Sequence, residues 1–180
     1  LGADWNDDIS GYPRDALAEI APTAAVGIEV RSSKFYALRY AEVRQRDVEE
    51  RKHRGRTVQS FTPKLEDLRV VKRWIDSFGV PLYYAQVFFD VIYVLPFEDI
   101  LLVLAQEPDN FTIEKNRNNQ EKPTIHIPVT RGRELARFSE EPSFHAETRV
   151  TRLFRLDAYV VPKGGRAPID RDRIAELLSI

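Results

Sequence analysis

The sequence predicts an α/β fold in which a mixed central sheet is flanked by helices. Three observations lead to this prediction: a well-capped amphipathic helix, a very apolar strand segment directly after it, and shorter strand and helix patterns on either side. The chain has 180 residues, of which 43% are hydrophobic and 31% are charged. This composition is that of an ordinary globular domain, and the length is sufficient for a sizeable core.

The first predicted element is a β-hairpin. Two short apolar runs at residues 16–20 and 26–32 are separated by Ala-Pro-Thr-Ala-Ala at residues 21–25. A loop of this length and composition is compatible with two antiparallel strands. In that register the odd-numbered residues of both strands would lie on one face of the hairpin.

Residues 35–53 are predicted to form a helix with a dense polar face. Over residues 39–56, seven basic side chains outnumber four acidic ones. A solvated helix face with i,i+4 ion pairs and a contact with a nucleic-acid backbone both remain compatible with this pattern. The candidates for such a contact are Arg44, Arg46, Arg51, Arg54 and Arg56.

The strongest helix pattern covers residues 63–79. Thr62 is a candidate N-cap, Pro63 would take the first helical position, and Asp67 would lie in the first turn, where the helix dipole favours acids. Apolar residues recur at three- and four-residue steps along the segment, and Gly79 is a typical C-terminal stop.

Residues 82–95 are too apolar on both faces for a half-exposed strand, so they predict a central strand or a pair of strands. The helix at 63–79 would then be the crossover that places strand 26–32 parallel to this segment. The expected later elements are a helix at 97–106, a polar loop at 107–123, strands at 124–130 and 150–161, and a short helix at 170–178.

Composition excludes several classes of protein. Lys and Arg total 27 against 28 Asp and Glu, and a net charge of −1 argues against indiscriminate coating of nucleic acid, although not against a local patch. The absence of Cys excludes thiolate zinc sites and favours the cytoplasm, and no apolar run predicts a membrane span. Because the chain starts at Leu1 and has no Met, we expect residues 1–180 to be a single domain that is a fragment or the catalytic part of a longer chain.

Two carboxylates and one cation are predicted to meet at the open end of the hairpin. Asp15 would lie opposite Arg31, and Glu29 would share the face of Arg31 at a distance of roughly 6.6 Å along the strand. Mg²⁺ prefers one or two carboxylates together with water and phosphate oxygens. Such a site can hydrolyse a phosphodiester, although a plain cross-strand pair of acid and base would give the same pattern.

An Asp followed about fourteen residues later by Glu-x-Lys is the signature of PD-(D/E)xK nucleases, and Asp15 and Glu29-Val30-Arg31 stand in these positions. With the segments 27–33, 60–68 and 84–90, the chain resembles type II restriction endonucleases of the AccI kind over about residues 11–105. The resemblance implies a restriction-endonuclease-like core and Mg²⁺-dependent cleavage of double-stranded DNA at a short site. It also implies a homodimer and a cognate methyltransferase as partner.

The third position of that signature is usually Lys, and this chain has Arg31. Arginine cannot exchange a proton near neutral pH, but it can hold a phosphate by two hydrogen bonds. Lys64 at the start of the predicted helix is the second candidate for the lysine role, and Lys34 is the third. A solvated lysine at a helix start is an equally good interpretation of Lys64.

Three further polar residues stand near this arrangement. Gln86 lies on the apolar strand and has two interpretations. It binds a water molecule or the Glu29 carboxylate, or it is a buried amide whose hydrogen bonds are satisfied in the core. Asp90 is expected to cap a strand end, and His126 is expected to be a buried structural residue.

The predicted function is a sequence-specific, Mg²⁺-dependent endonuclease. Asp15 and Glu29 would bind the metal ion, and Arg31, together with Lys64, would neutralise the scissile phosphate. The alternatives are a catalytically retired nuclease fold that only binds DNA and an α/β interaction protein without a nucleic-acid role.

Overall fold

A computed structural model describes residues 13–33, 35–40, 58–116, 119–150 and 156–178 of the chain. The helices are α1 (Arg14–Ile20), α2 (Leu65–Phe78), α3 (Phe97–Gln106) and α4 (Arg171–Leu178). The strands are β1 (Gly27–Ser32), β2 (Ser60–Phe61), β3 (Leu82–Val87), β4 (Val91–Pro96), β5 (Thr112–Asn116), β6 (Asn119–Pro128), β7 (Arg133–Arg137), β8 (Ser143–Val150) and β9 (Leu156–Lys163).

The strands form a four-stranded sheet in the order β1-β3-β4-β7, a three-stranded sheet in the order β2-β6-β5, and the two-stranded β8-β9 ribbon. In the four-stranded sheet only the β1-β3 pair is parallel. The predicted mixed α/β class with flanking helices is therefore confirmed.

The parallel β1-β3 pair is the centre of the predicted topology. Gly27 pairs with Leu82 at one end, and α2 connects the two strands along the chain, as the pattern of residues 63–79 predicts. A Cβ atom at Gly27 would lie 3.1 Å from the ring of Trp74 on α2. The glycine therefore allows the helix to pack closely on β1.

The ends of α2 differ from the prediction only at the N-terminus. Gly79 adopts a left-handed conformation (φ 68°) and its N–H donates to the carbonyl of Ile75 at 2.8 Å, which confirms the predicted stop. Thr62 is not the N-cap, because the helix begins after Lys64. The Thr62 hydroxyl and N–H bond instead to the side chain of Gln86.

The apolar segment 82–95 is a pair of strands, which was one of the two predicted possibilities. Strands β3 and β4 are antiparallel and joined by a tight turn. Their buried residues form the core together with residues of β2, α3 and β6. This core contains Phe61, Tyr84, Phe88, Val91, Leu95, Phe97, Ile100, Val103, Ile125, Ile127 and Val129.

The predicted hairpin over residues 16–32 is wrong. Residues 14–20 form α1 instead of a strand, and β1 pairs with β3 instead of a preceding strand. The segment after Pro13 is rich in helix formers such as Ala, Leu and Glu, and Pro13 starts the helix by accepting a hydrogen bond from Leu17 N–H at 3.1 Å. Asp15 therefore lies in the first turn of a helix and does not face Arg31 across a strand pair.

The predicted helix at 35–53 is also wrong at its start. Residues 35–39 form bends and turns, because the Asp90 carboxylate binds the backbone N–H groups of Ala37 and Leu38 at 2.9 Å each. Residues 41–57 lie outside the described residues, and so do the five arginines proposed to contact DNA and Lys34.

Two predictions in the C-terminal half need correction. The predicted loop at 107–123 contains β5 and the first half of β6, and Thr112 and Ile113 pair with His126 and Ile125 in a favourable strand context. The single strand predicted at 150–161 is instead divided between β8 and β9. Helix α3 has the predicted bounds, and α4 begins one residue later than predicted.

Among the described residues, no helix combines the length and the apolar character needed to cross a bilayer.

Candidate active site

Strand β1 presents its polar residues on one face. Exposure alternates along it, so that Ile28 and Val30 are 51% and 60% exposed while Glu29 and Arg31 are half-buried. Glu29 and Arg31 therefore lie on the same face of β1, as predicted, and their side chains are in direct contact. Arg31 Nε lies 3.2 Å from Glu29 Oε1.

The guanidinium of Arg31 contacts a second carboxylate. Its Nη2 donates to Oδ2 of Asp67, in the first turn of α2. The side chains of Glu29, Arg31 and Asp67 are each about one third exposed, at 38%, 34% and 35%. We call these three residues the acid–arginine cluster, and water and small ions can reach it.

Tyr84 lies beneath this cluster. It is the register partner of Glu29 in the parallel pair and is only 4% exposed. Burial raises the pKa of its hydroxyl, and the nearby positive charge of Arg31 opposes this shift. Among the described residues the hydroxyl has no acceptor for its proton, while the side chains of Thr62 and Arg31 lie close enough as donors to lower its pKa. The contact of Arg31 Nε with Glu29 is an ion pair without hydrogen-bond geometry.

Gln86 fixes the backbone around the cluster. It is the register partner of Arg31, is 1% exposed, and donates from Nε2 to the Arg31 carbonyl at 3.3 Å. Its Oε1 accepts from Thr62 N–H at 3.1 Å and from the Thr62 hydroxyl at 3.0 Å. Gln86 is thus the satisfied core amide, and its side chain holds β1 to the segment that leads into α2.

Two other predicted site residues lie apart from the cluster. Asp15 is exposed on α1, and within the described ranges no hydrogen bond or ion pair joins it to Glu29 or Arg31. Lys64 is half-buried, and its Nζ donates to Thr124 Oγ1 on β6. The structure therefore brings together Glu29 and Arg31 but does not add Asp15 or Lys64 to them.

Sequence reasoning missed Asp67 as a member of the site. Its position in the first turn of a helix explains the acid by the helix dipole alone. The available signal was topological, because the start of a crossover helix follows the carboxyl end of the strand that carries Glu29 and Arg31. The sequence does not show which side of the helix faces the strand, so the topology alone does not select Asp67 over Glu66.

The described parts of the chain contain no group of three or more His, Asp and Glu residues arranged to hold a metal ion. Two carboxylates in the acid–arginine cluster are nevertheless enough for Mg²⁺, which keeps several waters and takes further ligands from substrate phosphates. The cluster supplies hard oxygen donors that solvent can reach. Its donor set therefore fits a divalent cation of this kind.

A cavity of about 250 Å³ opens beyond the carboxyl end of β1. Its lining includes Ser33 and Thr62, and it also includes Gln59, whose side-chain nitrogen is buried and lacks a hydrogen-bond partner. A second cavity of about 360 Å³ shares His126 with the first. The first cavity presents amide, hydroxyl and imidazole groups beyond the end of the strand that carries Glu29 and Arg31.

The two remaining polar predictions have clear outcomes. His126 has a side chain that is 13% exposed and lies 3.2 Å from the Glu114 carboxylate, which agrees with a mostly buried structural residue. Asp90 is 7% exposed and does not cap a strand end as predicted. The backbone that it caps is the turn at residues 37–38.

A comparison with models of protein families gives a match. The family model described as AccI restriction endonuclease matches residues 49–180, which is more than half of the chain. The match includes the C-terminal third, where the sequence resemblance is poorer, and begins beyond Glu29 and Arg31. No curated protein and no solved structure matches the chain significantly.

Proposed function

Since the chain belongs to the AccI restriction endonuclease family, we propose that it cleaves both strands of a specific DNA site in a Mg²⁺-dependent reaction carried by the acid–arginine cluster. Family membership makes it a nuclease, a hydrolase that acts on DNA with sequence specificity. The metal dependence, the PD-(D/E)xK type of core and the site residues belong to the proposal.

The observation that carries the proposal is the placement of Arg31 between two carboxylates, each about one third exposed, near the end of the parallel β1-β3 pair. In the proposal, Glu29 binds the divalent ion. A bound ion supplies a water of lowered pKa and neutralises charge on the phosphodiester. Asp15, the other predicted ligand, makes no contact with Glu29, so the proposal rests mainly on Glu29 and Arg31.

Arg31 has an electrostatic role in the proposal. Its guanidinium keeps its positive charge at any working pH, so it neither takes nor gives a proton. It can bind two phosphate oxygens at once and stabilise the negative charge on the phosphoryl oxygens in the transition state. Lys64, which precedes α2, is the proposed second contact to the DNA phosphates.

The proposal includes DNA contacts and a partner subunit. The excess of basic residues over 39–56 is the proposed DNA-backbone contact, and the family match includes part of this segment. Two copies related by a two-fold axis would place one site on each antiparallel strand of a near-palindromic target. A homodimer and a cognate methyltransferase, which would protect the host DNA, are therefore part of the proposal.

Cleavage of a sequenced plasmid tests the proposal. We expect discrete fragments with Mg²⁺, no cleavage with EDTA, and fragment ends that map to one short sequence. Ca²⁺ should support binding without comparable cleavage if the metal ion has a chemical role. If the chain binds DNA tightly but does not nick it at saturating Mg²⁺, the retired DNA-binding module is the correct interpretation.

A further inference from the structure

We infer that Asp67 is the second carboxylate of the metal site, and that Arg31 occupies the cation position between Glu29 and Asp67 until a divalent ion replaces it. The inference rests on the proposed nuclease function. It assigns a metal ligand that the predicted signature does not contain. It also means that the Arg31 side chain contacts Glu29 and Asp67 in the free protein and a DNA phosphate in the complex.

The contacts of Arg31 are those of a bound cation. Its Nε lies 3.2 Å from a Glu29 oxygen, and its Nη2 donates to an Asp67 oxygen. Two carboxylates and one guanidinium leave a net charge of −1, which a divalent ion neutralises better than the guanidinium does. Because all three side chains are about one third exposed, an ion can enter without unfolding any element.

A buried hydroxyl whose proton has no acceptor among the described residues independently indicates a ligand at this place. It belongs to Tyr84, the register partner of Glu29, which is only 4% exposed. A buried donor without a hydrogen bond costs about 1–3 kcal/mol, so such groups are uncommon in native structures. A phosphate oxygen bound at the cluster would give the Tyr84 hydroxyl an acceptor.

Asp67 is held in place more firmly than Asp15. Its N–H donates to the Lys64 carbonyl at 3.0 Å, and α2 packs on β1 through Trp74 and Gly27. The helix N-terminus also favours a charged carboxylate there. Asp15 lies exposed on α1, and within the described ranges it has no hydrogen bond or ion pair with Glu29 or Arg31.

Mn²⁺ binding to the full chain without DNA, measured by calorimetry or electron paramagnetic resonance, tests the inference together with plasmid cleavage. We expect Asp67→Asn to weaken Mn²⁺ binding about 10-fold or more and to slow cleavage about 100-fold or more. The matched control is Asp76→Asn, which changes an exposed carboxylate paired with Lys72 on the same helix. It should leave both quantities within about twofold of the parent.

Arg31→Gln separates a metal site from a purely structural ion pair. It removes the competing cation, so Mn²⁺ binding should become several-fold tighter while cleavage is lost. Weaker Mn²⁺ binding in Arg31→Gln would overturn the inference, even if Asp67→Asn does not fold.

The inference and the proposed function can fail separately. If the parent cleaves with Mg²⁺ and Asp67→Asn binds Mn²⁺ and cleaves as well as the parent, Asp67 is not a ligand and the nuclease function stands. If Asp15→Asn alone loses Mn²⁺ binding, Asp15 is the second ligand. If the parent shows neither Mg²⁺-dependent cleavage nor Mn²⁺ binding, both proposals are wrong.

Discussion

The Arg31 guanidinium on β1 donates a hydrogen bond to the Asp67 carboxylate in the first turn of α2, across 36 residues of sequence. This bond joins the strand that carries the cluster to the crossover helix that follows it. The same strand is held from its other neighbour, because Gln86 on β3 donates to the Arg31 carbonyl. The position of Arg31 therefore depends on both the helix and the sheet.

Gln86→Leu should destabilise the fold by about 2–4 kcal/mol, because it leaves the Thr62 N–H and the Arg31 carbonyl without their partner in a buried place. Urea denaturation measures this change in the free energy of unfolding. Gln106→Leu at the exposed end of α3 is the control and should change the free energy by less than about 0.5 kcal/mol. Equal effects of the two substitutions would contradict the bridging role of Gln86.

Asp90→Ala should cost about 2–4 kcal/mol, because it removes the charged acceptor of two backbone N–H groups, those of Ala37 and Leu38. Asp90→Asn keeps one acceptor oxygen, so its free energy of unfolding should fall less than that of Asp90→Ala. Thermal unfolding of the three proteins gives the order of stability. If Asp90→Asn is as unstable as Asp90→Ala, the carboxylate has a role other than these two hydrogen bonds.

Tyr84 should make stability fall at alkaline pH. Its pKa is raised in the folded protein by burial, so below about pH 10 the tyrosine is neutral in both states and contributes no pH dependence. Above that pH the unfolded chain loses the proton while the folded protein keeps it, and stability falls by about 1.4 kcal/mol per pH unit.

Tyr84→Phe removes this contribution, so the free energy of unfolding should decline less steeply between pH 10 and 11. Some decline should remain, because the pKa values of Tyr36 and Tyr93 are also raised, mainly by desolvation. Urea denaturation at several pH values measures both slopes. Parallel curves for the parent and Tyr84→Phe would contradict the raised pKa.

Gly132→Ala should destabilise the protein by about 2–3 kcal/mol, because the new Cβ would lie 2.5 Å from the Val94 carbonyl oxygen and 2.5 Å from the ring of Phe61. Gly79→Ala is the informative comparison. Its φ of 68° disfavours alanine, but no atom lies within 4 Å, so it should cost only about 1 kcal/mol. Denaturant melts rank the two, and a greater loss for Gly79→Ala would show that the crowding at Gly132 relaxes.

The sequence predicted those parts of the fold that depend on local patterns. Helix α2 follows from the apolar spacing and the stop at Gly79, and the parallel pairing of β1 with β3 follows from the position of that helix between two strands. The segment at 16–20 was mistaken for a strand, because a five-residue apolar run has no period that separates strand from helix. Its Ala and Glu content favoured the helix.

The site was predicted only where it depends on neighbours in sequence. Glu29 and Arg31 are two residues apart on one strand, so alternation alone places them on the same face. Asp67 reaches Arg31 through the packing of α2 on β1, and Tyr84 meets Glu29 through strand register. Neither relation leaves a pattern in a single sequence.

Single-turnover cleavage of a mapped DNA site by Glu29→Gln in Mg²⁺ tests the central claim most directly. The substitution keeps the size of the side chain and removes the charge that holds the ion, and the matched control is Glu98→Gln in the exposed first turn of α3. We predict a loss of about 100-fold or more for Glu29→Gln with normal folding and DNA binding, and no more than about twofold for Glu98→Gln. A Glu29→Gln protein that cleaves as fast as the parent would contradict the assignment of the active site to this cluster.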